Sequence, residues 1–79
     1  MRMLDADTNN PVRVVQLYLS EPEARELRAA LDGLLTDPEA AEHRHVLSAD
    51  VGAELSVSIV TPAKLKAGGY SQTERDLLR

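Results

Sequence analysis

The side chains with the widest chemical reach in this 79-residue chain are His43 and His45. Two residues apart on a strand, they point the same way and could chelate one metal ion. A working site needs a third protein ligand, and the carboxylates near in sequence are Asp50 and Glu54. A small-ligand or metal-binding domain centred on His43, His45 and Glu54 is therefore one reading of the chain. The simpler expectation is that both histidines pack or hydrogen-bond locally, with no metal and no cofactor. Histidine also titrates closest to neutrality, which leaves room for a pH-sensitive or partner-contacting role.

Other chemistries lack their signatures. A serine hydrolase needs a serine on a strained elbow beside a positioned base, whereas Ser48, Ser56 and Ser58 read as ordinary strand serines. Gly68-Gly69 lacks the spacing and the lysine of a phosphate-cradling loop and reads as a helix stop. Acid–base work by paired carboxylates would need a cleft that so small a domain hardly offers. No catalytic residue is expected, and the chain is not expected to be an enzyme.

The element that carries the histidines is HRHVLSADVGAELSVSIV, residues 43–60, which reads as a β-hairpin. A three-residue loop at Asp50-Val51-Gly52 puts Leu47 opposite Leu55, His45 opposite Val57 and His43 opposite Ile59, all facing a helix. Arg44, Val46, Ser48, Glu54, Ser56 and Ser58 then face outward. A two-residue loop instead puts Val46 opposite Val57, with His43, His45, Leu47, Glu54, Ser56 and Ser58 on the outside. A one-residue slip flips every side chain of a strand. The first register is preferred because it packs Leu47 and leaves the charged residues wet.

Three further segments frame the hairpin. Residues 1–11 read as a flexible tail closed by Asn9-Asn10-Pro11. The run VRVVQLYL, 12–19, is β-branched and too short for a typical helix, so it reads as a first strand. Its parity puts Val15, Leu17 and Leu19 on the core face, with Val12, Val14, Gln16 and Tyr18 on the other. Ser20, Pro22 and Glu23 then form a helix start with a capping box. Ala24, Leu27, Leu31, Leu34 and Leu35 make its buried stripe, with Glu21–Arg25 and Arg28–Asp32 as pairs on the wet side. Thr36-Asp37-Pro38 ends it. Thr61-Pro62 opens one or two turns that stop at Gly68-Gly69, and Ser71 with Glu74 forms a second capping box ahead of Leu77 and Leu78.

The expected fold is α+β: a three-stranded antiparallel β-α-β-β sheet, one main helix on one face and short C-terminal helices. The core domain is 12–61 and the C-terminal helical segment 62–79. One helix covers one sheet face, so the other face is left to a partner or to the C-terminal segment. The expected partner-binding or dimer face comprises Val14, Gln16, Tyr18, Val46, Ser56 and Ser58, and a homodimer is the expected state.

Composition narrows the function further. The chain has no Phe or Trp and only two tyrosines, so its core must be aliphatic. Net charge is −4 with the basic residues scattered, which gives no footprint for nucleic acid. There is no cysteine and hence no disulfide framework or thiolate site. No apolar run approaches the roughly 18 residues of a membrane span. MRMLDADTNN lacks the apolar centre of a signal peptide, so the cytoplasm is the expected compartment.

The segment EHRHVLSADVGAELSVSIV, preceded by a Leu-rich helix ending in LDGLL, resembles small immunity proteins of bacterial polymorphic-toxin systems, in particular the family numbered 32. The matching positions are Glu42, His43, His45, Gly52, Glu54 and Leu55. Chains of this type are also similar to accessory proteins of actinobacteria and their phages. The resemblance implies an inhibitor that binds and occludes a protein, with no chemistry of its own. The leading expectation is thus a non-enzymatic protein-binding module.

Overall fold

A computed structural model describes residues 1–40, 42–48, 50 and 52–79. Its elements are β1 (Met3–Asp5), β2 (Asn10–Val12), α1 (Glu21–Thr36), β3 (Arg44–Leu47), β4 (Glu54–Val57), α2 (Pro62–Ala67) and α3 (Gln72–Leu78). The chain is α+β, as expected. In place of one three-stranded sheet it forms two separate two-stranded antiparallel sheets, β1-β2 and β3-β4.

The helix starts follow from local hydrogen bonding. At α1 the Glu23 N–H donates to Ser20 Oγ at 3.3 Å, and the Ser20 N–H donates to Glu23 Oε1 at 2.8 Å. Two donors at the helix start that lack intrahelical partners are thereby satisfied reciprocally. Ser71 and Glu74 repeat the arrangement at α3, with distances of 3.2 and 3.0 Å. Thr61 caps α2 by accepting from the Lys64 N–H at 3.2 Å. Gly68 ends α2 in the left-handed region at φ 76°, where glycine carries no Cβ penalty. At the far end of α1, the Thr36 hydroxyl donates to the Asp32 carbonyl at 3.0 Å.

The buried face of α1 is narrower than the leucine stripe predicts. Leu34 is fully buried and Ala30 is 9% exposed, whereas Leu31 and Leu35 are 42% and 63% exposed. The helix rests chiefly on β3, where Val46 is 5% exposed. One strand pair covers fewer helical positions than three strands would, so the outer leucines stay wet. The Arg44 guanidinium lies across Gly33, close enough that an added Cβ would meet its Nη2 at 3.1 Å. Of the two pairs expected on the wet side, Glu21–Arg25 forms; among the described residues Arg28 and Asp32 are not within ion-pair distance.

The largest correction concerns the first strand. Residues from the expected tail, 1–11, and Val12, the first residue of the expected strand, form the β1-β2 hairpin, with Met3 opposite Val12, Leu4 opposite Pro11 and Asp5 opposite Asn10. Asp5 organises the turn: its carbonyl accepts from the Asn9 N–H at 2.8 Å and its carboxylate from the Asp7 N–H at 3.0 Å. Asn9 supplies the left-handed residue, φ 60°. Pro11 is tolerated because each strand of a two-stranded sheet is an edge. The β-rich run 14–19 lies outside both sheets. Its alternation persists in exposure: Val14 and Tyr18 are 82% and 86% exposed, against 53%, 49% and 41% for Val15, Leu17 and Leu19.

Candidate functional site

The hairpin register sets which side chains are offered outward. Arg44 lies opposite Val57, His45 opposite Ser56, Val46 opposite Leu55 and Leu47 opposite Glu54. The preferred three-residue-loop register is therefore overturned. The faces divide as in the two-residue-loop alternative, with His43, His45, Leu47, Glu54, Ser56 and Ser58 on the outside, but the pairing sits two residues further along. The inward residues of β4, Leu55 and Val57, are those expected; it is β3 that turns over, burying Val46.

The turn itself shows why. The Ser48 N–H donates to the Ala53 carbonyl at 2.9 Å, closing a four-residue connection. Asp50 braces it: its Oδ1 accepts from the Ser48 hydroxyl at 2.6 Å and from the Gly52 N–H at 3.0 Å. Ser48 Oγ in turn accepts from the Ala53 N–H at 2.9 Å. The Ser48 hydroxyl, and secondarily the Gly52 N–H, hold the Asp50 carboxyl below its ordinary range. Loop length is thus fixed by a serine–aspartate pair as well as by the glycine that the sequence pattern emphasises.

On the outward face the two histidine rings meet edge to face, centroids 4.7 Å apart and planes at 87°. The Glu54 carboxylate engages His45 Nδ1, with both side chains about half exposed. His43 and His45 form one wall of an open groove of about 610 Å³, together with Ser56 and Ser58. The other side comes from Lys64, Tyr70 and Glu74, and the connection after α1 adds Glu39 and Glu42. Two hydrogen bonds set α2 beside this connection and the strand end. Thr61 Oγ1 donates to Glu39 Oε2 at 2.8 Å, and Lys64 Nζ donates to the Ile59 carbonyl at 2.9 Å.

No protein-family model, curated protein or solved structure matches this chain. Its chemistry is accordingly read from its own geometry. Among the described residues, no group of three or more His, Asp and Glu side chains is placed to share one metal ion. The alternative set His43, His45 and Glu54 is bound up internally, since the carboxylate holds one histidine and the rings stand perpendicular. Ser56, His45 and Glu54 have the residue types of a nucleophile, base and orienting acid. Among the described residues no hydrogen bond joins Ser56 to His45, and Ser56 occupies a regular strand position without a strained elbow.

The six residues expected to share one binding face are divided. Ser56 and Ser58 are exposed on the outward side of the hairpin, and Val14, Gln16 and Tyr18 are exposed on the unpaired run. Val46 is withdrawn from the group and packs on the opposite side of the hairpin, beneath α1. The sequence reading missed the contributions of Glu39, Glu42, Lys64, Tyr70 and Glu74 to the groove. The Thr61-Pro62 helix start was the available signal, because it reverses the chain immediately after β4.

Among the described residues, no helix is long and apolar enough to cross a membrane. The accessible surface is 6298 Å². A compact monomer of this mass would expose about 4,700 Å², so roughly 1,600 Å² is in excess. The radius of gyration, 13.4 Å, is likewise above the roughly 11.6 Å expected for this length.

Proposed function

We propose that this chain is a non-enzymatic protein-binding module, an immunity-like inhibitor or a phage or host accessory factor that acts by occluding a protein partner. The observation that carries the reading is the excess surface together with its apolar content at Val14 and Tyr18, two large side chains more than four-fifths exposed. Exposed apolar area of this kind marks surfaces that meet other proteins. The net charge of −4 suits a basic partner surface, because complementary potential speeds encounter and rejects wrong partners.

The test is crosslinking and affinity capture in the native host with wild type and with the double variant Val14→Ser/Tyr18→Ser. A specific protein recovered by the wild type and lost with the variant supports the reading. Equal recovery by both, or no specific protein at all, refutes it. The second reading, a metal-binding set of His43, His45 and Glu54, would require the Glu54 carboxylate and the His45 Nδ1 it holds to turn to the ion, and calorimetry with zinc, nickel and manganese is the check. Absence of stoichiometric binding, or binding that His45→Ala leaves intact, ends that reading.

A further inference from the structure

We infer that α3 is a hinged wall of the groove: it opens at Gly68-Gly69, independently of the rest of the fold, while α2 stays anchored.

The C-terminal segment is tied down on one side of the glycine pair only. On the α2 side, hydrogen bonds leave the segment for the connection after α1 and for the stretch after β4. Thr61 Oγ1 donates to Glu39 Oε2, and Lys64 Nζ donates to the Ile59 carbonyl. On the α3 side, among the described residues, every side-chain hydrogen bond and ion pair of residues 70–79 ends inside that stretch. Ser71 and Glu74 close their own capping box, Arg75 donates to the Tyr70 carbonyl and to Gln72 Oε1, and Asp76 takes Gln72 Nε2 and Arg79. What holds α3 against the hairpin is therefore contact without hydrogen bonds, and it is thin. No residue of α3 is buried, and Leu77 and Leu78 are only half-buried.

Segments with few buried apolar contacts open locally at a fraction of the cost of global unfolding. The joint suits such opening. Gly68 is left-handed, and beyond the chain neighbours nothing lies within 4 Å of where a Cβ would sit on either glycine, so no packing resists rotation there. A seven-residue helix is too short to persist alone in water, so undocking and unwinding of α3 are one order-to-disorder event. Docked, it contributes Glu74 to the groove beside Tyr70; undocked, it leaves His43, His45, Ser56 and Ser58 bare on that side. A molecule held between the two walls would bind the docked form alone and draw the population toward it. The hinge is a property of the single chain and stands apart from the proposed partner.

Hydrogen exchange on the full chain, read amide by amide by nuclear magnetic resonance, tests the hinge. The Leu65 N–H donates to the Thr61 carbonyl at 3.1 Å and the Arg75 N–H to the Ser71 carbonyl at 2.9 Å, matched first-turn bonds on the two sides of the glycine pair. After correction for intrinsic rates, Arg75 should exchange at least about tenfold faster than Leu65, the worth of the two anchoring hydrogen bonds. Low urea should leave the Arg75 rate unchanged, because local opening exposes little surface. Gly69 has a negative φ and open space for a Cβ, so Gly69→Ala fits the docked form and narrows the undocked one. It should slow Arg75 about two- to fivefold and leave Leu65 as it was. Glu39→Ala, which removes one anchor of α2, should instead bring Leu65 toward the Arg75 rate. Equal protection of Leu65 and Arg75 in the wild type, or a Gly69→Ala effect shared by both amides, overturns the inference. Circular dichroism confirms that each variant retains α1, and the wild-type comparison needs no variant to fold.

Discussion

Among the described residues Leu34 is the one large side chain that is fully buried, so Leu34→Ala tests where the core lies. Removing three carbons forfeits about 2.4 kcal/mol at roughly 0.8 kcal/mol per methylene. The cavity left behind raises the cost to about 2.5–4 kcal/mol, within the range of buried leucine truncations. A domain of this length is held by about 4–12 kcal/mol. Burial of only about half of the unfolded surface, rather than roughly 60%, places this chain at the lower end. The substitution therefore removes most of the margin. Urea unfolding followed by circular dichroism, at one fixed protein concentration, should show the midpoint of Leu34→Ala falling until the folded baseline is nearly lost. Leu35→Ala, one residue on but 63% exposed, should cost under about 1 kcal/mol. Equal losses from the two variants would refute the orientation of α1 described above.

Gly33→Ala should stabilise α1 by up to about 1 kcal/mol, because the nearest atoms the added Cβ would meet among the described residues belong to the movable end of Arg44; a fall in melting temperature would contradict this. Ser20→Ala should cost about 1 kcal/mol by opening the capping box, read as a lower urea midpoint with unchanged slope. Because the Asp50 carboxyl is held below its ordinary range, its contribution is present above the unfolded value and is lost as pH falls through the folded one. Protection of the Gly52 amide should accordingly fade only below about pH 4, and Asp50→Asn should abolish that pH dependence. Glu54→Gln should change stability by less than about 1 kcal/mol, since the His45 pair is half exposed, and thermal unfolding at low and high salt measures it.

The parts of the fold that rest on local chemistry were legible in the sequence. Ser20 with Glu23, Thr61 with Lys64 and Ser71 with Glu74 each need only three consecutive steps of chain, so their residue types announce the helix starts. Strand pairing is a choice between distant edges, and there the sequence misled. Val12–Leu19 has the composition of a strand, but composition does not say which edge receives it, and the nearer Met3–Asp5 claims Val12 first. The hairpin register turned on Ser48 and Asp50, whose hydrogen bonds lengthen the loop beyond what Gly52 alone suggests. The groove was illegible for a related reason: Glu39 and Lys64 lie 25 positions apart in the chain and meet the same space only after Thr61 reverses it.

The two-sheet arrangement has a kinetic corollary. Each hairpin closes over a handful of residues, and the principal contact between elements that do not form a hairpin, α1 against β3, joins a helix that ends at Thr36 to a strand that begins at Arg44. Loop closure over so few residues costs little entropy, and topologies rich in local contacts reach the native state in microseconds to milliseconds. The order of events is then imposed by chain connectivity: the hairpins and helix, each closed locally, assemble first and fast.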